Sequence, residues 1–113
     1  MPAIPERGDL IWLDFSPHAG HEQAGRRPGL VLSPSAYNKK VGLMLVCPVT
    51  SRSKGFPFEV PLPAEGSVTG FVLSDHIRSA DWRQRRDETV GRVPDYVLEQ
   101  VVQRVEALLR PDL

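Results

Sequence analysis

Gly29-Leu30-Val31-Leu32-Ser33 and, ten residues further on, Leu43-Met44-Leu45-Val46-Cys47-Pro48-Val49 decide the fold. The first run is apolar on both sides of a two-residue period, and the second is almost wholly apolar up to Pro48. Strands of that kind are buried on both faces and lie inside a sheet. Between them, Ser33-Pro34-Ser35-Ala36-Tyr37-Asn38 predicts one helical turn, with Ser33 as its cap and Pro34 at its first position. If the two runs are neighbours, an antiparallel pair centred near Asn38 and Lys39 matches residues whose numbers sum to about 77. Residue 27 then lies opposite residue 50. The Arg27 guanidinium and the Thr50 hydroxyl fall at the same end of one strand pair.

Working outward, residues 1–7 are a lead-in with two prolines and residues 8–15 read as a strand, with Ile11, Leu13 and Phe15 on its cleaner apolar face. Residues 16–28 then form a polar loop that includes His21-Glu22-Gln23-Ala24-Gly25-Arg26-Arg27-Pro28. Chemistry tends to sit on loops held by a rigid scaffold. A second polar loop spans residues 50–55. Residues 58–62 read as a short strand whose prolines mark it as an edge. Residues 70–73, 77–82 and 88–93 supply further short strands. Val97, Leu98, Val101, Val102, Val105, Leu108 and Leu109 follow at helical spacing, with Glu99, Gln103 and Arg104 opposite them. Pro94-Asp95 starts that helix and Pro111 stops it. The expectation is one α+β domain over residues 1–113. It is a compact, mainly antiparallel β barrel or sheet with short helices and a C-terminal amphipathic helix.

The totals agree with a globular domain: 113 residues, 41% hydrophobic and 25% charged, enough to fold alone. The single cysteine, Cys47, sits in an apolar run and reads as core filler in a reducing compartment. The N-terminus shows no apolar signal region, and residues 43–47 are far too short an apolar run to span a bilayer. A cytoplasmic protein without a membrane partner is expected. Net charge is zero, but it is unevenly spread. Between residues 26 and 58 lie Arg26, Arg27, Lys39, Lys40, Arg52 and Lys54, with no Asp or Glu. A second basic run holds Arg78, Arg83, Arg85, Arg86 and Arg92. Such local fields suit RNA, DNA or an acidic peptide, or else belong to a solvated surface with its counter-charges elsewhere.

Arginine beside hydroxyls suits a phosphate, because the planar fork matches phosphate oxygens. Phe56 is placed to stack on a base. The alternative for Arg27 is a plain ion pair with Glu22 or Asp14. Trp12 and Trp82 are assigned to the core. His18, His21 and His76 make no metal-ligand pattern, so no metal or other cofactor is expected.

Taken in order, Gly8-Asp9-Leu10-Ile11-Trp12, the His21 to Pro28 octet, Pro48-Val49-Thr50-Ser51, Ser53-Lys54-Gly55-Phe56-Pro57-Phe58-Glu59-Val60 and Asp75-His76-Ile77-Arg78 resemble the MazF/PemK toxins of bacterial toxin–antitoxin systems. The resemblance covers almost the whole chain. It implies a PemK/CcdB-like, SH3-like barrel acting as a homodimer, and a metal-independent endoribonuclease that cuts single-stranded RNA at short sequences. The implied products are a 2′,3′-cyclic phosphate and a 5′-hydroxyl, and growth is inhibited by loss of mRNA. By position, Arg27 and Thr50 match the family's catalytic arginine and hydroxyl, and Glu22 and His21 match residues implicated beside them. Asp75 matches an aspartate of the PemK branch. Leu73 stands where that branch has a second functional arginine, so Arg27 with Thr50 is the favoured pair. Gln23, Ser51, Lys54, Phe56, Asp75 and His76 are the expected RNA contacts. Guanidinium stays protonated, so His21 or Glu22 suits the proton transfers better. The expected protein partner is a MazE-like antitoxin whose acidic, disordered tail lies in the basic groove.

Two other functions fit the same fold. A CcdB-like gyrase-binding toxin would need a tryptophan in its C-terminal tail, and Leu109-Arg110-Pro111-Asp112-Leu113 has none. A non-catalytic RNA-binding module would treat Arg27 as an affinity residue alone.

Overall fold

The structure is a computed structural model that describes residues 3–16 and 25–111, the side chains of residues 85–87 excepted. Among the described residues, seven strands pair antiparallel throughout: β1 (Asp9–Asp14), β2 (Arg26–Val31), β3 (Leu43–Thr50), β4 (Glu59–Pro61), β5 (Phe71–Leu73), β6 (Arg78–Asp81) and β7 (Arg86–Arg92). Helix α1 (Ser35–Val41) joins β2 to β3, the short α2 (Trp82–Arg85) joins β6 to β7, and α3 (Asp95–Leu109) ends the chain. The strand order is β4-β5-β3-β2-β1-β7, with β6 beside β5 on the same edge of β3. β4 and β7 remain the two ends of that path. Of the two arrangements expected, the described residues form the open sheet and not the closed barrel.

The β2–β3 register is the expected one. Gly29 pairs with Pro48, Leu30 with Cys47 and Val31 with Val46. Because those sums are odd, odd residues of β2 share a face with even residues of β3. One core holds Ile11, Leu13, Phe15, Val31, Met44, Val46, Ala80 and Trp82. The other, on the face that α3 covers, holds Leu10, Leu30, Cys47, Val49, Val60, Val72, Val97 and Val101. Both faces are buried, which is why β2 and β3 are apolar at successive positions. Gly29 is required by this packing. A Cβ there would stand 2.6 Å from a Val46 methyl and 2.8 Å from a Leu13 methyl.

Three expectations need correction. β2 begins at Arg26, so Arg27 and Pro28 are strand residues and not loop. Ser33 does not cap α1: Pro34 occupies the cap position, no side chain caps it, and Ser35 is the first helical residue. The Ser33 hydroxyl instead donates to Asn38 Oδ1 (2.6 Å) and accepts from the Leu45 amide (2.8 Å). Trp12 leaves the core. Its even position on β1 faces away from the cluster that holds Ile11, Leu13 and Phe15, and it is half-buried with the Arg26 guanidinium 4.6 Å above its ring. Trp82 is in the core as expected.

Asn38 is the one fully buried polar side chain of α1. It accepts from Ser33 and donates to the carbonyls of Pro5 (3.0 Å) and Ser33 (3.1 Å), while its own carbonyl accepts the Trp82 indole N–H (2.8 Å). It thereby ties the lead-in, α1 and α2 to the β2–β3 connection. Buried polar groups left unpaired cost more than a made bond returns. Asn38→Ala is therefore expected to lower unfolding free energy by about 3 kcal/mol, measured by urea denaturation with the m-value unchanged.

Candidate functional site

The β2–β3 ladder stops at Gly29–Pro48. Pro28 and Pro48 carry no N–H to extend it. Past that point Arg27 reaches across, and its Nη1 donates to the Val49 carbonyl at 3.4 Å. This opens a cavity of about 620 Å³ at the end of the strand pair, with Arg27 and Thr50 on its wall.

Three further segments complete the wall. The loop after β3 contributes Ser51, Arg52, Lys54 and Phe56; β4 contributes Glu59; the end of β5 and the 3-10 turn Ser74–His76 contribute Leu73, Asp75 and His76. Thr50 Oγ1 accepts the Arg52 amide at 3.3 Å, which leaves its own hydrogen to donate to a ligand. Phe56 is 61% exposed, a large apolar ring with no core to fill. Arg27 and Ser51 also line a smaller groove of about 400 Å³ with Trp12, Arg26 and Thr69. The two depressions therefore adjoin along Arg27 and Ser51.

Glu59 organises the loop. Its carboxylate accepts the Ser53 hydroxyl (2.6 Å) on one oxygen and the Lys54 amide (2.9 Å) on the other. The Ser53 hydroxyl, followed by the Lys54 and neighbouring backbone amides, holds this carboxyl below the usual glutamate range. With both oxygens engaged by the loop, Glu59 holds Arg52 and Lys54 at the same cavity wall as Arg27. From the other side, Arg104 of α3 donates through Nε to the Pro57 carbonyl at 3.0 Å. Beneath the turn lies Cys47, whose thiol burial, and then the Asp75 charge, push up to about 12. It is an inert core thiol, as the sequence implied.

Gly70 fixes where Thr50 sits. Its φ is +118°, and a Cβ would overlap the Thr50 carbonyl oxygen and stand 3.1 Å from its carbon. Glycine is needed for both reasons.

Of the residues expected at the site, Arg27, Thr50, Ser51, Lys54, Phe56, Asp75 and His76 share this one cavity. His21, Glu22 and Gln23 lie outside the described residues. Sequence reasoning missed Arg52 and Glu59 as lining groups. Arg52 was visible as part of the same polar loop, whereas the role of Glu59 depends on a turn that only the folded loop makes. Leu73 is on the cavity wall.

The sequence over residues 6–109 matches the family of PemK-like, MazF-like toxins of type II toxin–antitoxin systems. It is 43% identical over 106 residues to the endoribonuclease toxin MazF of Escherichia coli K12, covering 94% of this chain and 95% of that protein. It is 37% identical to the Escherichia coli endoribonuclease PemK, over 92% of this chain and 81% of that protein. The fold superposes on the crystal structure of MazF from Deinococcus radiodurans with a TM-score of 0.92 at 57% identity, covering 96% of this chain and 98% of that one.

Two outcomes are expected from this geometry. Glu59 is lowered in the folded state, so its contribution is present above the ordinary glutamate value and is lost as pH falls through the lowered value. The Lys54 amide resonance should therefore titrate with a midpoint below that of an exposed glutamate, and the titration should vanish in Glu59→Gln. Gly70→Ala should cost about 1–3 kcal/mol in thermal unfolding and displace the Thr50 and Ser51 amide resonances.

Proposed function

Because this chain belongs to the PemK-like, MazF-like toxin family of type II toxin–antitoxin systems, we propose that it is an endoribonuclease toxin that cuts single-stranded RNA in the cavity at Arg27 and Thr50. The observation that carries this reading is the convergence of a guanidinium, a free-to-donate hydroxyl, two further cations and an exposed aromatic ring on one wall.

Each group has work to do in such a cleavage. The 2′-hydroxyl attacks the adjacent phosphorus, the phosphoryl oxygens gain charge, and the 5′-oxygen leaves. The products are a 2′,3′-cyclic phosphate and a 5′-hydroxyl. Arg27 holds the developing charge, since guanidinium stays protonated and its fork fits phosphoryl oxygens. The Thr50 hydroxyl donates to a second phosphoryl oxygen. Arg52 and Lys54 hold neighbouring phosphates, and Phe56 stacks on a splayed base. The groove beside Trp12 and Arg26 continues the path of the strand. For the 2′ proton the sequence offers His21 and Glu22. None of these steps requires a metal ion.

The same basic channel accounts for inhibition. The Deinococcus radiodurans relative, 57% identical to this chain over 96% of its length, has been solved as a MazE–MazF complex. By analogy, the partner of this chain is a MazE-like antitoxin whose acidic tail occupies the channel in place of RNA. The working form is a cytoplasmic homodimer. No helix among the described residues is long and apolar enough to cross a membrane.

The test is digestion of a long unstructured RNA in EDTA, with cuts mapped by primer extension. Discrete cuts with 5′-hydroxyl ends are expected, and none at a site carrying a 2′-deoxy substitution. Arg27→Ala should lower the rate by about 10²–10³ with RNA binding retained. RNA left intact by antitoxin-free protein would sink the reading.

A further inference from the structure

We infer that His76 is the general acid of the cleavage, donating a ring proton to the departing 5′-oxygen, with the Asp75 carboxylate beside the ring. This rests on the ribonuclease reading and assigns a step that Arg27 and Thr50 leave open.

The argument is by elimination within one wall. The leaving 5′-oxygen is a poor leaving group unless it is protonated as the P–O bond breaks. Among the described groups that line the cavity, the proton-bearing candidates are Arg27, Arg52, Lys54, Thr50, Ser51 and His76. Guanidinium does not release a proton near neutrality, and a hydroxyl is a weaker acid still. The ordinary lysine ammonium, near 10.4, is about four units weaker as an acid than an imidazolium near 6.5. The two carboxylates, Glu59 and Asp75, are acceptors when ionised, and Glu59 has both oxygens accepting from its own loop. Among the described groups, that leaves the His76 imidazole.

Its placement suits the task. The 3-10 turn Ser74–His76 lies between β5 and β6, and both of those strands pair with the same edge of β3. The turn is therefore pinned at both ends to the strand that carries Thr50. His76 Nε2 stands 4.0 Å from Asp75 Oδ1, and its side chain is 25% exposed against 37% for Asp75. The partial exposure lets the ring regain its proton from water. Among the described residues, the other charged groups facing the cavity are Arg27 on β2, Arg52 and Lys54 on the loop, and Glu59 on β4. Below, β3 presents the neutral Cys47 thiol. α3, which also packs against the turn, contributes Val97 and Val101 to the core there, and its Arg104 is engaged with Pro57.

The step balances. The 2′-oxygen forms a bond to phosphorus as its proton passes to a carboxylate or imidazole base. The P–O5′ bond breaks, its electron pair goes to O5′, and O5′ takes the proton from the His76 ring N–H. Neutral His76 is then reprotonated by solvent.

A leaving group that needs no proton isolates this role. Wild type, His76→Gln and Arg27→Ala are compared on one short RNA carrying either the natural 5′-oxygen or a 5′-bridging sulfur at the cut. Thermal unfolding and RNA affinity are measured alongside. His76→Gln is expected to slow the oxygen substrate by about 10²–10⁴ and to cleave the sulfur substrate at the wild-type rate, while Arg27→Ala is slow on both. If His76→Gln matches wild type on the oxygen substrate, or is slowed equally on both, His76 is not the acid. If wild type cleaves neither substrate, the ribonuclease reading fails instead.

Discussion

The structure hangs on β3 being paired along both edges. Val46 is the clearest case: it faces Val31 of β2 on one side and Arg78 of β6 on the other, and it is fully buried. No residue can slip past it, because a one-residue shift would turn the buried side chains of β3 onto the wrong cores. Burying each such aliphatic side chain is worth about 1.5–3 kcal/mol, so the register is held by several of them at once. Every described part of the candidate site is referred to this strand. Thr50 is its last residue, Arg27 lies across one edge, and the Asp75–His76 turn lies along the other.

The site lies where this pairing gives out. Proline at positions 28 and 48 ends the ladder, and a guanidinium takes over the space that main-chain hydrogen bonds leave. On the opposite side Gly70 lets β5 approach the Thr50 carbonyl. The sheet is rigid up to the cavity, and the cavity wall is finished by a loop that folds on Glu59 and is tied to α3 by Arg104. A rigid base with a polar loop across it is a sound arrangement for holding a phosphate in one orientation. On the described wall three cations, Arg27, Arg52 and Lys54, outnumber the two carboxylates, Glu59 and Asp75, and so set the sign of the field that an RNA backbone or an acidic peptide meets.

Much of this was legible beforehand. The pairing of residues that sum to 77 followed from two apolar runs and the short polar segment between them, and the register agrees with it. The amphipathic spacing of α3 and its proline boundaries were equally plain. Ser33 misled because a serine before a proline reads as a helix cap, whereas here its hydroxyl serves a buried asparagine. Trp12 misled because burial frequency describes tryptophan on average, and a neighbouring arginine can cover one ring face as a core would. Arg26 and Arg27 looked like loop because a charged pair before proline carries no strand signal of its own. They are strand because β1 pairs with them, Asp14 to Arg26 and Leu13 to Arg27.

By itself, the sequence determined the antiparallel β character, the two-faced burial of β2 and β3, their register and the closing helix. All of these depend on patterns within a few residues or across one short connection. It also placed Arg27 against Thr50, since one hairpin links them. The residues alone put nothing else beside that pair, and only the family resemblance had Asp75 and His76 there; the tertiary structure decided that they join it together with Leu73 and Glu59. Leu73, Asp75 and His76 come from β5 and the turn after it, along the second edge of β3, and Glu59 from β4 beyond β5; which strand takes a free edge depends on long-range packing of whole core clusters that no local period records.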